Sequence, residues 1–329
     1  MMTKICIVGA GAIGGFIGTR LAAAGREVAA LARGATLDAL RRDGWRMETA
    51  EGPVRGPARA SDSAAELGVQ DLVIVAVKGP ALTAVALNIA PLLGPHTLVL
   101  PAMNGVPWWF CHEVAGFPGG PLQSVDPGGT IAAAIPFEQT LGCVVHASAA
   151  SPEPGLVQHR MGRGLIVGEP RGGHSARAQA VVDLLAQAGF QATQSVDVRR
   201  DIWYKLWGNL TMNPVSAITG ATIDRLLADP LVRGFCSAAM QEAAAIGERI
   251  GCQVAEGAED RHAVTARLGA FKTSMLQDVE AGRAIELDAI VGAVYEIGER
   301  LGQPMPNIGG LLGLTRLFAR TRGLYPESK

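Results

Sequence analysis

Lys4-Ile5-Cys6-Ile7-Val8-Gly9-Ala10-Gly11-Ala12-Ile13-Gly14-Gly15-Phe16-Ile17-Gly18-Thr19-Arg20-Leu21-Ala22 places a glycine-rich turn between two apolar runs. Lys4 to Val8 shows no polar alternation, as expected of a strand buried on both faces. Phe16 to Ala22 has a helical pattern, and Gly25 stands where that helix should stop. Between them lies Gly9-x-Gly11-x-x-Gly14. In a strand–turn–helix setting the first glycine permits the tight turn. The second lets the backbone approach a pyrophosphate, and the third lets helix and strand pack closely. The helix N-terminus then offers free N–H groups and a positive dipole end to phosphates. An inert glycine-rich turn is the alternative. The flanking strand and helix favour a dinucleotide site, with Gly9, Gly11, Ala12, Ile13 and Gly14 as its contacts.

Further along, Glu27 to Ala32, Asp71 to Val77 and Thr97 to Leu100 read as strands separated by helical segments. That alternation implies parallel βαβ units. The second strand ends in Ala30-Leu31-Ala32-Arg33-Gly34, without the acid that would hold a ribose 2′-hydroxyl. Arg33 can instead pair with a 2′-phosphate, so the cofactor expected is NADP(H). Lys78 and Asn104-Gly105 follow neighbouring strands, at the strand ends where ligands gather in open α/β sheets. Each could also be an ordinary strand cap or turn. Residues 116–170 are rich in glycine and proline and are expected to add strands that close the sheet. Val181 to Ala188 reads as a helix and Phe190 to Val196 as a last strand.

Near Asp197 the character changes. Asp201–Ala217, Pro230–Ile250, Arg261–Ala281, Ile285–Leu301 and Gly310–Arg320 carry amphipathic helical patterns, with Gly251, Gly282 and Gly302 at the expected stops. The sequence therefore predicts a Rossmann-type α/β domain with a parallel-sheet core over 1–197, followed by an all-α substrate and catalytic domain over 198–329. Composition agrees. Of the 329 residues 48% are hydrophobic and 18% charged, enough for a sizeable core. The net charge of -1 gives no basic excess for nucleic acid or an anionic membrane. The five cysteines are scattered and form no C-x-x-C. Neither a zinc site nor a disulfide framework is expected, and reduced thiols in the cytoplasm are. No apolar run approaches the roughly 18 residues of a membrane span.

The second half opens on Asp201-Ile-Trp-Tyr-Lys205-Leu-Trp-Gly-Asn209-Leu-Thr-Met-Asn213-Pro214. On a helix, Lys205, Asn209 and Asn213 fall on one face. An ammonium and two carboxamides in line on an apolar helix read as the wall of a pocket, where a carbonyl would find its proton donor. The bland reading is an exposed lysine and two structural amides. Against it, Trp203, Leu206, Trp207 and Leu210 surround the lysine with apolar bulk, which makes it a better proton donor. Ser274 is equally readable as a polar surface residue. Glu286 is equally readable as an acid complementing the dipole of a helix's first turn.

These motifs together are similar to those of the ketopantoate reductase (2-dehydropantoate 2-reductase) family. The resemblance rests on the glycine loop, Arg33, Lys78, Asn104-Gly105, Lys205-x3-Asn209-x3-Asn213-Pro214, Ser274-Met275-Leu276-Gln277-Asp278 and Glu286-x-Asp288, and covers nearly the whole chain. It implies reduction of a 2-keto acid by NADPH on the route to pantothenate, with the active site in the cleft between the domains. It further implies Lys205 as general acid, Glu286 holding the substrate hydroxyl, Ser274 its carboxylate, and Asn209 and Asn213 orienting the substrate. Asn104 and Lys78 would contact cofactor and substrate near the nicotinamide. Two places depart from the family pattern. Val106-Pro107-Trp108-Trp109-Phe110 is bulkier and less polar than usual, and reads either as a reshaped wall of the site or as the apolar start of a helix. Val291 stands where asparagine is common. The departures leave room for another branched 2-keto acid as substrate, or for a β-hydroxyacid dehydrogenase. An NADP(H)-sensing protein without turnover is the reading from a different class. The apolar helices are compatible with a homodimer but show no symmetric patch.

Overall fold

The computed structural model describes residues 2–327. Its strands, in chain order, are β1 (Lys4–Val8), β2 (Glu27–Leu31), β3 (Trp45–Thr49), β4 (Gly52–Gly56), β5 (Arg59–Ser61), β6 (Leu72–Val75), β7 (Leu98–Pro101), β8 (Gly142–Glu153), β9 (Leu156–Gly168) and β10 (Gln191–Ser195). The first sheet has the order β5-β2-β1-β6-β7, and every pairing in it is parallel. The register sets Val8 opposite Leu31 on one side and Val75 on the other. β6 and β7 are buried along their whole length, which is why Leu72 to Val75 reads as an unbroken apolar run. The chain leaves β1 toward β2 and returns to β6 on β1's other side. The carboxyl end of β1 is therefore the topological switch point where this kind of sheet binds its ligand.

The strands of 116–170 do not close that sheet. β8 and β9 belong to a second, mixed sheet of order β10-β9-β3-β4, with β8 antiparallel to β9. β3 and β4 escape the sequence reading although Trp45 to Thr49 alternates in burial along the strand, a signal of period two. The helix Ala12–Ala23 packs between the two sheets, and its glycines answer to both. A Cβ on Gly14 would press on Ile7 and Ala76 of the first sheet's layer. A Cβ on Gly15 would lie 2.5 Å from Val157 Cγ2, and one on Gly18 2.6 Å from Trp45 Cη2, both in the second sheet. The chain thus spends side-chain volume on the sheets and keeps this helix thin.

Two compact units result. One comprises residues up to Met103 with Thr130–Asp201; the other comprises Asn104–Gly129 and the chain from Ile202 onward. Asn104–Gly129, which the sequence reading leaves in the first domain, packs with the helices. Trp108, Trp109 and Phe110 are buried, and the Phe110 ring stacks on Trp203 with centroids 5.9 Å apart. Glu296 accepts hydrogen bonds from the Gln123 N–H and from the Ser124 N–H and hydroxyl. Arg300 donates to the Pro121 carbonyl at 2.6 Å. The bulky Val106–Phe110 segment is therefore core of the helical unit, made of turns and not the start of a helix.

The helices of this unit are Val198–Thr219, which begins in the first unit, then Ile223–Ala228, Pro230–Arg249, Ala258–Ala266, Ser274–Glu280, Ala293–Leu301 and Pro306–Arg320. The single helix expected over Arg261–Ala281 is two, separated at Gly269 (φ +62°) and restarted by Thr273, whose hydroxyl accepts from the Leu276 N–H. Gly251, Gly282 and Gly302 do end helices. Each has positive φ, and each is followed by a residue whose N–H reaches back to an unsatisfied carbonyl of the last turn. The helix expected from Ile285 starts later: Glu286 precedes it, and Asp288–Gly292 forms a π turn before Ala293–Leu301.

Candidate active site

In the first unit the glycine turn follows β1 at the switch point. Gly9 has φ +92°, and a Cβ there would lie 2.5 Å from Val77 Cγ1. Both conformation and space demand glycine. Gly14 meets the other structural requirement, because a Cβ there would collide with the Gly9 carbonyl oxygen. Gly11 differs: its φ is −80°, and an added Cβ would meet nothing within 4 Å. The fold makes no demand for glycine at this position, and the open space beside its backbone would admit a ligand. Gly11 is the N-cap of Ala12–Ala23, which has no side-chain cap and no acid in its first turn. The N–H groups of Ala12, Ile13 and their successors are thus offered to an anion. A dinucleotide pyrophosphate fits this cradle. Arg33 is exposed at the N-cap of Gly34–Asp43, directly after β2, and no carboxylate stands between Leu31 and Gly34. Lys78, half-buried, is the N-cap residue of Gly79–Ala86 after β6.

In the helical unit Lys205, Asn209 and Asn213 lie on one helix, Val198–Thr219, which continues through Pro214. Lys205 and Asn209 are half-buried, and Asn213 is 5% exposed. Trp203, Leu206, Trp207 and Leu210 are buried, and Trp207 is locked by its indole N–H donating to the Met240 carbonyl at 2.7 Å. Their packing anchors this helix, with Lys205 and Asn209 on its part-exposed side and Asn213 buried farther along the same face. The Lys205 ammonium donates to the Asn104 Oδ1 at 2.8 Å. Asn104 belongs to a turn that backbone contacts pin to Ala289. The Val106 N–H donates to the Ala289 carbonyl at 2.8 Å, and Gly105, at φ +82°, lies so close that a Cβ would stand 2.5 Å from the Ala289 carbonyl carbon. Ala289 sits in the π turn immediately after Glu286 and Leu287. One chain of contacts therefore links Lys205, Asn104 and the segment that presents Glu286. π turns of this kind recur at functional sites.

Glu286 is half-buried and immediately precedes Leu287, the first helical residue. Ser274 is exposed at the first position of Ser274–Glu280. The contacts that join Lys205, Asn104 and the Glu286 segment do not include it. Asp278 is an anchor: its Oδ1 accepts from Arg283 Nε at 3.0 Å, and its carbonyl accepts from the Arg283 N–H. Asp288 accepts from the Tyr325 hydroxyl at 2.5 Å. Burial pushes its carboxyl above the ordinary carboxylate value even though that hydroxyl favours the charged form. Burial, and then the same bond, raise the Tyr325 phenol. Sequence reading missed Tyr325, since a lone tyrosine near the end of a chain has no periodicity or spacing to mark it. The fixed turn at Gly105 was legible in part, as an Asn-Gly pair.

A family model described as ketopantoate reductase PanE/ApbA matches residues 5–118. A second, described as ketopantoate reductase PanE/ApbA C terminal, matches residues 197–319. A 2-dehydropantoate 2-reductase from Mesorhizobium japonicum is 44% identical over 324 residues, 98% of this chain and 99% of that one. A crystal structure from Ralstonia solanacearum MolK2, assigned to the ketopantoate reductases, is 56% identical with a TM-score of 0.95, covering 99% of this chain and 100% of that one. A PanE/ApbA family ketopantoate reductase from Ralstonia eutropha JMP134 is 27% identical with a TM-score of 0.83, covering 97% and 99%.

Proposed function

The chain belongs to the ketopantoate reductase family of oxidoreductases, and on that premise we propose that it reduces 2-dehydropantoate to pantoate with NADPH. The observation that carries the reading is the Lys205–Asn104 hydrogen bond on a turn pinned beside the Glu286 segment. It supports Lys205 as general acid. The keto oxygen gains negative charge as the carbon is reduced, so an ammonium held at a fixed position stabilises that charge and then supplies the proton. Asn104, accepting from the ammonium, orients it. Glu286 holds the substrate hydroxyl, Ser274 its carboxylate, and Asn209 and Asn213 position the keto acid. Bound NADPH supplies the hydride. Gly9, Gly11, Ala12, Ile13 and Gly14 hold its pyrophosphate, Arg33 its 2′-phosphate, and Lys78 lies toward its nicotinamide end.

The burial of Trp108, Trp109 and Phe110 supports 2-dehydropantoate over a different keto acid, because the bulkiest departure from the family pattern is spent on core packing. Among the described residues no helix is long and apolar enough to cross a membrane. The five cysteines are buried thiols outside any disulfide, which supports a cytoplasmic site of action. A homodimer would cover Leu314 and Leu317, both exposed on Pro306–Arg320; light scattering measures it. The reaction is tested by following NADPH oxidation with 2-dehydropantoate and a panel of branched 2-keto acids. Turnover fastest with 2-dehydropantoate is expected. A folded, NADPH-binding protein that oxidises the cofactor with none of them would refute the proposal and leave a cofactor-sensing role.

A further inference from the structure

We propose that the segment Leu324–Tyr325 is a strap that holds the Glu286 loop in place, with Tyr325 acting as a positioning residue through its hydrogen bond to Asp288. The strap is built into the end of the last helix. After Pro306–Arg320, Gly323 turns at φ +66°, its N–H bonds the Arg320 carbonyl, and the Leu324 N–H reaches back to the Ala319 carbonyl at 2.8 Å. This helix ending turns the following apolar residue inward, and Leu324 is 4% exposed. From that anchor the chain grips the loop twice. The Leu324 carbonyl accepts from the Ile285 N–H at 3.1 Å. The Tyr325 hydroxyl donates to Asp288 Oδ1 at 2.5 Å. Glu286 lies between these two points. The Tyr325 ring is itself held under the Arg320 guanidinium, 5.6 Å from its centroid, while Arg320 Nε donates to the Pro326 carbonyl at 3.0 Å.

The loop's other ends are tied elsewhere, Arg283 to Asp278 and Ala289 to Val106. Between those ties, Arg283 to Glu286 has no helix or strand of its own. A carboxylate that must meet a substrate hydroxyl within a few tenths of an ångström needs its segment over-determined. The strap adds two contacts, at Ile285 and Asp288, on either side of Glu286. This inference rests on the reading of Glu286 as a substrate-binding residue.

The experiment is a double-mutant cycle in the full-length protein, with Tyr325→Phe, Glu286→Gln and both together. Steady-state KM is read separately for 2-dehydropantoate and for NADPH. Tyr325→Phe is expected to raise the keto-acid KM about tenfold, as a displaced rather than deleted contact does, while the NADPH KM stays within about twofold. A structural role alone would lower the active fraction and leave both KM values where they are. With Glu286→Gln in place, Tyr325→Phe should add nothing, because its effect passes through that side chain. An unchanged keto-acid KM in Tyr325→Phe, or additive effects in the cycle, would overturn the strap. An unchanged keto-acid KM in Glu286→Gln would instead overturn the reading beneath it. Should Tyr325→Phe not fold, Asp288→Asn and Asp288→Ala decide the matter. The carboxamide oxygen still accepts the phenol's hydrogen bond, so the proposal requires Asn to keep the keto-acid KM near wild type and Ala to raise it. Equal KM values for the two would refute it.

Discussion

Gly105→Ala probes how firmly the turn carrying Asn104 is held. Gly105 sits at φ +82°, where an L-residue costs about 1–2 kcal/mol. Its new Cβ would also stand 2.5 Å from the Ala289 carbonyl carbon and 2.8 Å from the Ala289 Cβ. Those neighbours are backbone and the first atom of a side chain, so neither can rotate away and the turn must lift. The Val106 N–H to Ala289 carbonyl bond of 2.8 Å is then lost, at a further cost of roughly 0.5–1.5 kcal/mol. Together the two effects destabilise the unit by about 1.5–3.5 kcal/mol. Gly116→Ala is the control. Gly116 has φ +74°, and nothing lies within 4 Å of an added Cβ, so only the conformational cost of about 1–2 kcal/mol applies. Trp108, Trp109, Trp203 and Trp207 all lie in this unit, so urea unfolding followed by tryptophan fluorescence reports on it. Activity separates the variants further. A lifted turn moves Asn104 off the Lys205 ammonium, and a displacement near 1 Å lowers kcat/KM by about a hundredfold. Gly116→Ala should keep wild-type kcat/KM. Equal stability of the two variants, or full activity in Gly105→Ala, would show that the turn is not the fixed support described.

Lys205→Ala should lower kcat/KM for the keto acid by about 10²–10⁴, the usual worth of a positioned general acid, while NADPH quenching titrations still show binding. Arg33→Ala should raise the KM for NADPH by roughly 10- to 100-fold, through loss of a charge-assisted contact, and leave that for NADH almost unchanged; equal effects on both would remove Arg33 from the 2′-phosphate. Gly18→Ala would push a methyl to within 2.6–2.9 Å of three Trp45 ring atoms, and overpacking of this kind costs about 1–3 kcal/mol, measurable as a lower melting temperature of the nucleotide-binding unit. Burial alone would raise the Glu296 carboxyl, but hydrogen bonds from Ser124, Gln123 and Arg300 outweigh it and hold the group below its ordinary value. A depressed folded value means that its stabilisation is present above the unfolded value of about 4.3 and is lost as pH falls from there through the lower folded value. Urea midpoints should therefore drop below about pH 4.5, and Glu296→Gln should flatten that part of the profile; an unaltered slope would deny the link.

Much of the cofactor half was legible because its signals are local. A strand buried on both faces must be apolar throughout, a switch-point turn must be glycine, and the acid missing after Leu31 is a one-residue observation. The helix stops at Gly251, Gly282 and Gly302 were legible for the same reason: a left-handed residue at a helix end is a local steric demand. The second sheet was not. β3 and β9 pair across more than a hundred residues, and nothing in Trp45–Thr49 names its partner. The reason for Gly15 and Gly18 was hidden with it, because only a helix held between two sheets needs to be thin on both sides.

The chemistry divides in the same way. Order along the chain placed Lys205, Asn209 and Asn213 on one face, since helical period is a property of the backbone itself. It also placed Ser274 and Glu286 within motifs. Order along the chain did not put Asn104 against Lys205, move residues 104–129 into the helical unit or bring Tyr325 to Asp288. Those contacts depend on side-chain shape meeting across distant segments: Phe110 on Trp203, Gly105 under Ala289, Leu324 seated in the core. Periodicity and propensity act over a few residues and sequence records them directly. Packing complementarity acts between segments whose neighbours are chosen only when the whole chain has collapsed, and the tertiary structure alone decides it.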